Sequence, residues 1–120
     1  MSQEVFKIVR RLEDGYADYF DVERLGVLAN EGDLYASVEY GICLYLCEQV
    51  LEDKEKSYIY FEKASASDDF NILFELVSFM NYVEDSRFKE LIDKGMKKIR
   101  KKMGDKAKKL GIDINNLHLN

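Results

Sequence analysis

The sequence predicts an all-α protein of about six helices arranged as hairpins. Three observations carry that expectation. Proline is absent from all 120 residues, and proline is the residue a helix interior tolerates least. Apolar residues recur at three- and four-residue intervals in every long segment, while β-branched runs are scarce; this is the period of a helix with one buried face. The segments also open on serine or aspartate, whose side chains accept hydrogen bonds from the unpaired amides of a first helical turn. A hydrophobic share of 47% sets the chain among globular rather than disordered sequences, and its length suits one domain with a core of its own.

In order, Ser2 caps a first helix whose inward stripe is Val5, Ile8, Val9 and Leu12, with Phe6 beside it. The Asp14-Gly15 pair ends it, because glycine enters a left-handed turn at no steric cost. A second helix from Asp18 to Glu31 buries Phe20 or Val22, then Leu25, Leu28 and Ala29. The third, opening at Gly32-Asp33, turns Ala36, Tyr40, Cys43, Leu44 and Cys47 inward. Asp53 caps the fourth, whose stripe is Ser57, Phe61 and Ala64. Small residues (Ala36, Gly41, Ser57, Ala64, Ser65) mark where these two helices approach closely. The fifth helix, FNILFELVSFMNYV, has Phe70, Leu73, Phe74, Val77 and Met80 on one stripe, widened by Ile72, Leu76, Phe79 and Tyr82. An apolar surface that broad predicts a central position in the core. The last helix starts at Asp85 or Ser86 and runs to Met103, with Phe88, Leu91, Ile92, Met96, Ile99 and Met103 inward. Gly104 ends it, a short helical turn spans Lys106 to Leu110, and a tail with the only histidine, His118, follows.

The middle of the chain resembles a known repeat. Gly32-Asp33, Ala36, Gly41, Val50, Asp53, Ser57, Tyr60-Phe61 and Lys63-Ala64-Ser65 look like the Sel-one-like repeat, a relative of the tetratricopeptide repeat. Tyr40-Gly41 stands for the family's leucine-glycine, Ser57 for a usual alanine and Ser65 for the second closing alanine. The family's loop glycines fall at Cys47 and Gln49, which predicts that the third helix runs on into a tighter turn. The resemblance covers residues 32–65 and implies a right-handed stack of antiparallel hairpins. In that frame 1–111 is a single helical-repeat domain: 1–31 a divergent capping hairpin, 32–67 the best-matching repeat, and 68–111 a worn third repeat with a basic last helix. Residues 112–120 are a tail. A plain helical-bundle helix is the alternative reading of the fifth segment.

Charge is unevenly divided along the chain. Against a formal total of −5, residues 1–86 hold 7 Lys and Arg against 19 Asp and Glu, a balance of −12, and residues 87–109 hold 11 against 3, a balance of +8. The basic helix reads as a solvated outer face that offsets the acidic body. A second reading makes it a nucleic-acid patch, with Lys97, Lys98, Lys101 and Lys102 as candidate anion-binding residues. The acidic body would repel phosphate, however, and no aromatic is interleaved for base stacking. A third reading has it meet an acidic protein or an anionic membrane, and large aromatics for membrane insertion are lacking.

The acidic body carries tyrosines, eight in the chain with no tryptophan. Tyr40 and Tyr60 occupy repeat framework positions, whereas Tyr35, Tyr45 and Tyr58 fall off the main stripes. Together with Glu39, Glu48, Glu55 and Glu62 they form the predicted partner-binding surface, since tyrosine among carboxylates suits a basic partner. Cys43 and Cys47, four apart on one helix, are expected to be reduced and buried, with poor geometry for a disulfide. Neither has histidine or further cysteine near it for a metal site.

Catalysis finds no support: there is no phosphate loop, nucleophile elbow or metal-ligand spacing, and acids such as Asp68-Asp69 are explained by helix capping. The chain is therefore expected to be non-enzymatic and cofactor-free. With no apolar run long enough to span a bilayer and a charged amino terminus, it is expected to be cytoplasmic. The resemblance implies a scaffold that binds another protein. Size and charge point to a small acidic inhibitor that neutralises a basic protein, in the manner of an immunity protein covering the active site of a nuclease toxin. An adaptor or regulatory subunit of a larger complex is the alternative, and nucleic-acid binding through the last helix ranks third.

Overall fold

The computed structural model describes residues 3–110, so His118 and the tail beyond Leu110 lie outside the described residues. Six α-helices follow one another: α1 (Gln3–Glu13), α2 (Tyr19–Asn30), α3 (Leu34–Leu46), α4 (Lys54–Ala64), α5 (Phe70–Val83) and α6 (Lys89–Leu110), with a 3₁₀ turn at Ser86–Phe88 before α6. The described residues contain no strand, as expected from the sequence. Successive helices pack as hairpins, α3 also lies against α2, and α1, α3 and α5 touch in turn along one side.

Aspartates set where the helices begin. Asp18, Asp33, Asp53 and Asp69 each accept from an amide of the first turn, and Asp85 does the same for the 3₁₀ turn. Each such cap contributes about 1 kcal/mol. At Asp18 the cap is reciprocal, because Asp21 accepts in return from the Asp18 amide at 3.2 Å. That register resolves the choice in α2: Val22 is fully buried beside Leu25 and Ala29, whereas Phe20 is 74% exposed.

Hairpin α3–α4 is closed by its small residues. A Cβ placed on Gly41 would stand 2.6 Å from the Phe61 ring, so only glycine admits that ring. The Ser57 hydroxyl donates to the Gly41 carbonyl at 2.7 Å, and Ser57, Phe61 and Ala64 are wholly buried.

The turn after α3 departs from expectation. The helix stops at Leu46, and Cys47 and Gln49 take left-handed φ values of 57° and 58°. These are the positions at which the resembled repeat carries glycine. The amides of Glu48 and Asp53 return to the carbonyls of Cys43 and Leu44, so backbone bonds end the helix at Leu46 and tie down the loop after it, where a helix running on into a tighter turn was predicted. Cys47 is consequently exposed, while Cys43 is buried and both thiols are free.

Two further expectations fail at the far end. α6 passes through Gly104 to Leu110; this glycine keeps a helical backbone and weakens the helix by about 1 kcal/mol without breaking it. In α5, Leu73, Leu76, Val77 and Met80 are buried, but Phe70 is 39% exposed, Phe74 57% and Tyr82 80%. The helix is central on one side only, because no seventh helix follows on the other among the described residues.

Candidate functional site

Both α3 and α5 are apolar helices interrupted by a single charge. In LYASVEYGICLYL that charge is Glu39, and in FNILFELVSFMNYV it is Glu75. The two meet where α3 crosses α5. Glu39 is only 6% exposed, and its Oε1 has no hydrogen-bond donor. Burial raises the Glu39 carboxyl well above the usual carboxylate range, and a hydrogen bond with the Glu75 carboxyl raises it further. Among the described residues the charged groups acting on it are acidic: Glu75, Glu13 at the end of α1, and Glu48 in the turn after α3. Tyr35, one turn before Glu39 and also buried, has its phenol pushed up by burial and then by Glu39, Glu75 and Glu13. Glu39 Oε1 is left without a donor by the side chains around it, a need that a proton, a water molecule or a cation would meet.

The predicted partner surface is divided by the fold. Tyr35 and Glu39 lie in this acidic seam, buried rather than presented. Tyr45 and Tyr58 are half-buried in an aromatic cluster: Tyr45 packs edge-on against Phe79 at 5.7 Å, and Tyr58 stacks on Phe88 at 6.1 Å. The Tyr45 hydroxyl donates to Asp85 Oδ2 at 3.0 Å, and Lys54 lies over its ring. Asp85 is held well below the usual carboxylate range, first by Arg87. These two tyrosines therefore brace the turn before α6, because large rings off a helix's main stripe were claimed by a neighbouring element. Glu48, Glu55 and Glu62 are exposed. Sequence reasoning passed over Glu75, although a solitary charge in an otherwise uncharged helix is a legible signal, and over Glu13, one of several charges in α1 that no local pattern sets apart.

The candidate anion-binding lysines are divided as well. Lys98 Nζ donates to the Ser65 and Ser67 carbonyls, both at 3.0 Å, and lies 3.8 Å from Asp68. It caps the C-terminal end of α4, where the backbone carries partial negative charge. Lys94 reaches the Ser65 hydroxyl at 3.3 Å. Lys97 and Lys101 are exposed and Lys102 half-buried.

Burial pushes the Cys43 thiol up to about 12, helped by Glu48 and Glu39, so it is a neutral core group at ordinary pH. No group of three or more metal-ligating side chains exists among the described residues, and none of their helices is long and apolar enough to cross a membrane. Beside the buried face of α5 runs an apolar groove of ≈ 730 Å³, whose walls include Phe70, Phe74, Val77, Ile92, Met96 and Met103.

Comparison of the chain with protein-family models, with curated proteins and with solved structures finds no match.

Proposed function

We propose that this chain is a non-enzymatic protein-binding module whose acidic side receives a basic protein, and that it acts as a small inhibitor of that protein. The observation that carries the reading is the Glu39–Glu75 pair, two buried or half-buried carboxyls whose charged neighbours among the described residues are acidic, in a body whose residues 1–86 balance at −12 with 7 Lys and Arg against 19 Asp and Glu. Clustered carboxylates with no internal cation leave the compact state under self-repulsion, which an external cationic surface relieves. Such complementarity also speeds encounter and suppresses wrong partners. An immunity-like role, covering the cationic active site of a nuclease toxin, fits the same chemistry. The kinship with Sel-one-like repeats, itself part of this proposal, is supported by the left-handed backbone at Cys47 and Gln49, where that repeat places glycine.

An adaptor role is the second reading, favoured by the apolar groove with its exposed Phe70 and Phe74. The discriminating experiment pairs Glu48→Lys and Glu55→Lys in one variant with Lys97→Glu and Lys101→Glu in another. Each is titrated against the co-purifying partner and against a random-sequence RNA at two salt concentrations. The expected result is partner binding lost with the glutamate reversals and weakened by salt. Partner binding that survives them but disappears with the lysine reversals overturns the reading. Tight RNA binding lost with those same lysines would favour the nucleic-acid alternative.

A further inference from the structure

The acid pair has a geometry that narrows the kind of group it can receive. Glu39 is 6% exposed and its Oε1 lacks a donor, while Glu75 is half-buried and Glu13 exposed. A cation arriving from solvent thus meets Glu13 and Glu75 before it reaches Glu39. The groups facing the pair are Glu13 from α1, Tyr35 from α3, Glu48 from the turn after α3 and Glu75 from α5. None of these is cationic, and although the Tyr35 phenol carries an O–H, Glu39 Oε1 accepts no hydrogen bond from it. In the free protein one proton held by the carboxyl pair meets this need. A guanidinium meets it better, because its planar fork donates to two carboxyl oxygens at once and is weakly hydrated. An ammonium is a compact, strongly hydrated point charge and loses more on leaving water.

We propose that the Glu39–Glu75 pair is a receptor for a single arginine side chain, which a protein partner inserts between α3 and α5. This rests on the acidic-side reading above and specifies the group recognised. Binding exchanges one cation for another: the guanidinium forms its hydrogen bonds with the two carboxylates, and the proton they held goes to solvent. The charge of the seam is the same before and after, since one positive charge replaces another, and no covalent bond other than that O–H changes. The protonated state of Glu39 in the free protein, sustained by burial and Glu75, makes the proton release measurable.

The test uses the full chain and a hexa-arginine peptide, with hexalysine as comparison, by isothermal titration calorimetry in two buffers of different ionisation enthalpy. The expected result is about one proton released per arginine peptide bound at neutral pH, and affinity rising about tenfold per pH unit between pH 6 and 8, as linkage requires for one proton. Glu39→Gln should abolish the proton release and weaken binding about tenfold or more. Glu75→Gln should weaken binding to a similar degree while the proton release persists, because burial alone still holds the Glu39 proton, and it serves if Glu39→Gln does not fold. A Glu55→Gln/Glu62→Gln variant, which thins the acidic surface around the seam, should weaken binding by less than Glu39→Gln and keep the proton release intact, because neither carboxyl belongs to the pair. Equal binding by Glu39→Gln and the parent, or binding without proton release, overturns the receptor. If Glu55 and Glu62 then govern affinity, the acidic side still binds cations and only the receptor fails. If neither peptide binds, both readings fail. Hexalysine matching hexa-arginine in affinity and proton release overturns the choice of arginine.

Discussion

Hairpins α3–α4 and α5–α6 use the same device at their crossing, and only one of them is sealed around it. In each, a glycine lies under a side chain of the partner helix: a Cβ on Gly41 would stand 2.6 Å from the Phe61 ring, and one on Gly95 2.6 Å from Val77 Cγ2. Around Gly41 everything is occupied. The Phe61 ring is wholly buried, with Phe88 at 5.3 Å and Phe79 at 5.7 Å from it. Val77, by contrast, borders the open groove with Phe74 and Met96. The difference is one of position in the stack: α3–α4 has α2 on one flank and α5 on the other, whereas α5–α6 has α3 and α4 on one flank and, among the described residues, no helix on the other. Equal local chemistry thus gives a rigid contact in one hairpin and a yielding one in the next.

The comparison can be broken most sharply at Ala64, which is wholly buried in the closed hairpin. Ala64→Arg should cost about 3–5 kcal/mol through overpacking and an unpaired buried charge. A variant that melts within a few degrees of the parent would mean that the hairpin is not closed there. Next come the glycines as a pair. Gly41→Ala should lose about 1–3 kcal/mol by overpacking against an immobile ring, despite a gain of about 1 kcal/mol in helix propensity. Gly95→Ala should be neutral or stabilising, because Val77 can yield into the groove. Urea denaturation of both variants measures this, and equal losses would erase the contrast.

Glu39 sits where the two hairpins meet and makes that junction sensitive to pH. Its folded carboxyl binds its proton more tightly than an ordinary glutamate, which titrates near 4.5, so the native state holds more protons than the unfolded chain above that pH. Stability should therefore fall as pH rises from about 4.5 through the folded value. Glu39→Gln should flatten the curve of melting temperature between pH 5 and 8, and a parallel slope in the variant would place the titration elsewhere. A smaller effect tests where the hairpins are alike. Gln49 in one turn and Glu84 in the other are left-handed, with φ of 58° and 53°, so Gln49→Gly and Glu84→Gly should each gain about 0.5–1 kcal/mol. Smallest of all, Phe74→Ser on the open flank should change stability by no more than about 0.5 kcal/mol.

What could be read from the sequence follows the range of the forces involved. The starts of α2, α3, α4 and α5 were legible because an aspartate cap acts within three residues, and the closed crossing was legible because Gly41, Ser57 and Ala64 are small where a neighbour must come close. Phe70 and Phe74 were misjudged because periodicity shows which residues share a face, not whether another helix covers it. Cys47 was misplaced because a left-handed cap is usually announced by glycine, and here the backbone takes that shape without one. Of the acidic seam, Tyr35 and Glu39 were picked out, but as a presented surface; Glu75, contributed by another helix, requires tertiary structure to be paired with them.

The hydrogen bonds of Lys98 also have a meaning in time. The lysine that caps α4 lies 33 residues after Ser65 and 31 after Ser67. A chain made at ~5–20 residues per second holds both carbonyls for roughly 2–6 s before that ammonium has been synthesised. During that interval water must satisfy them, and the end of α4 frays more readily than in the finished protein. The last helix works as a late clasp for the end of α4, whose carbonyls gain their ammonium only when the basic segment has been made and has docked.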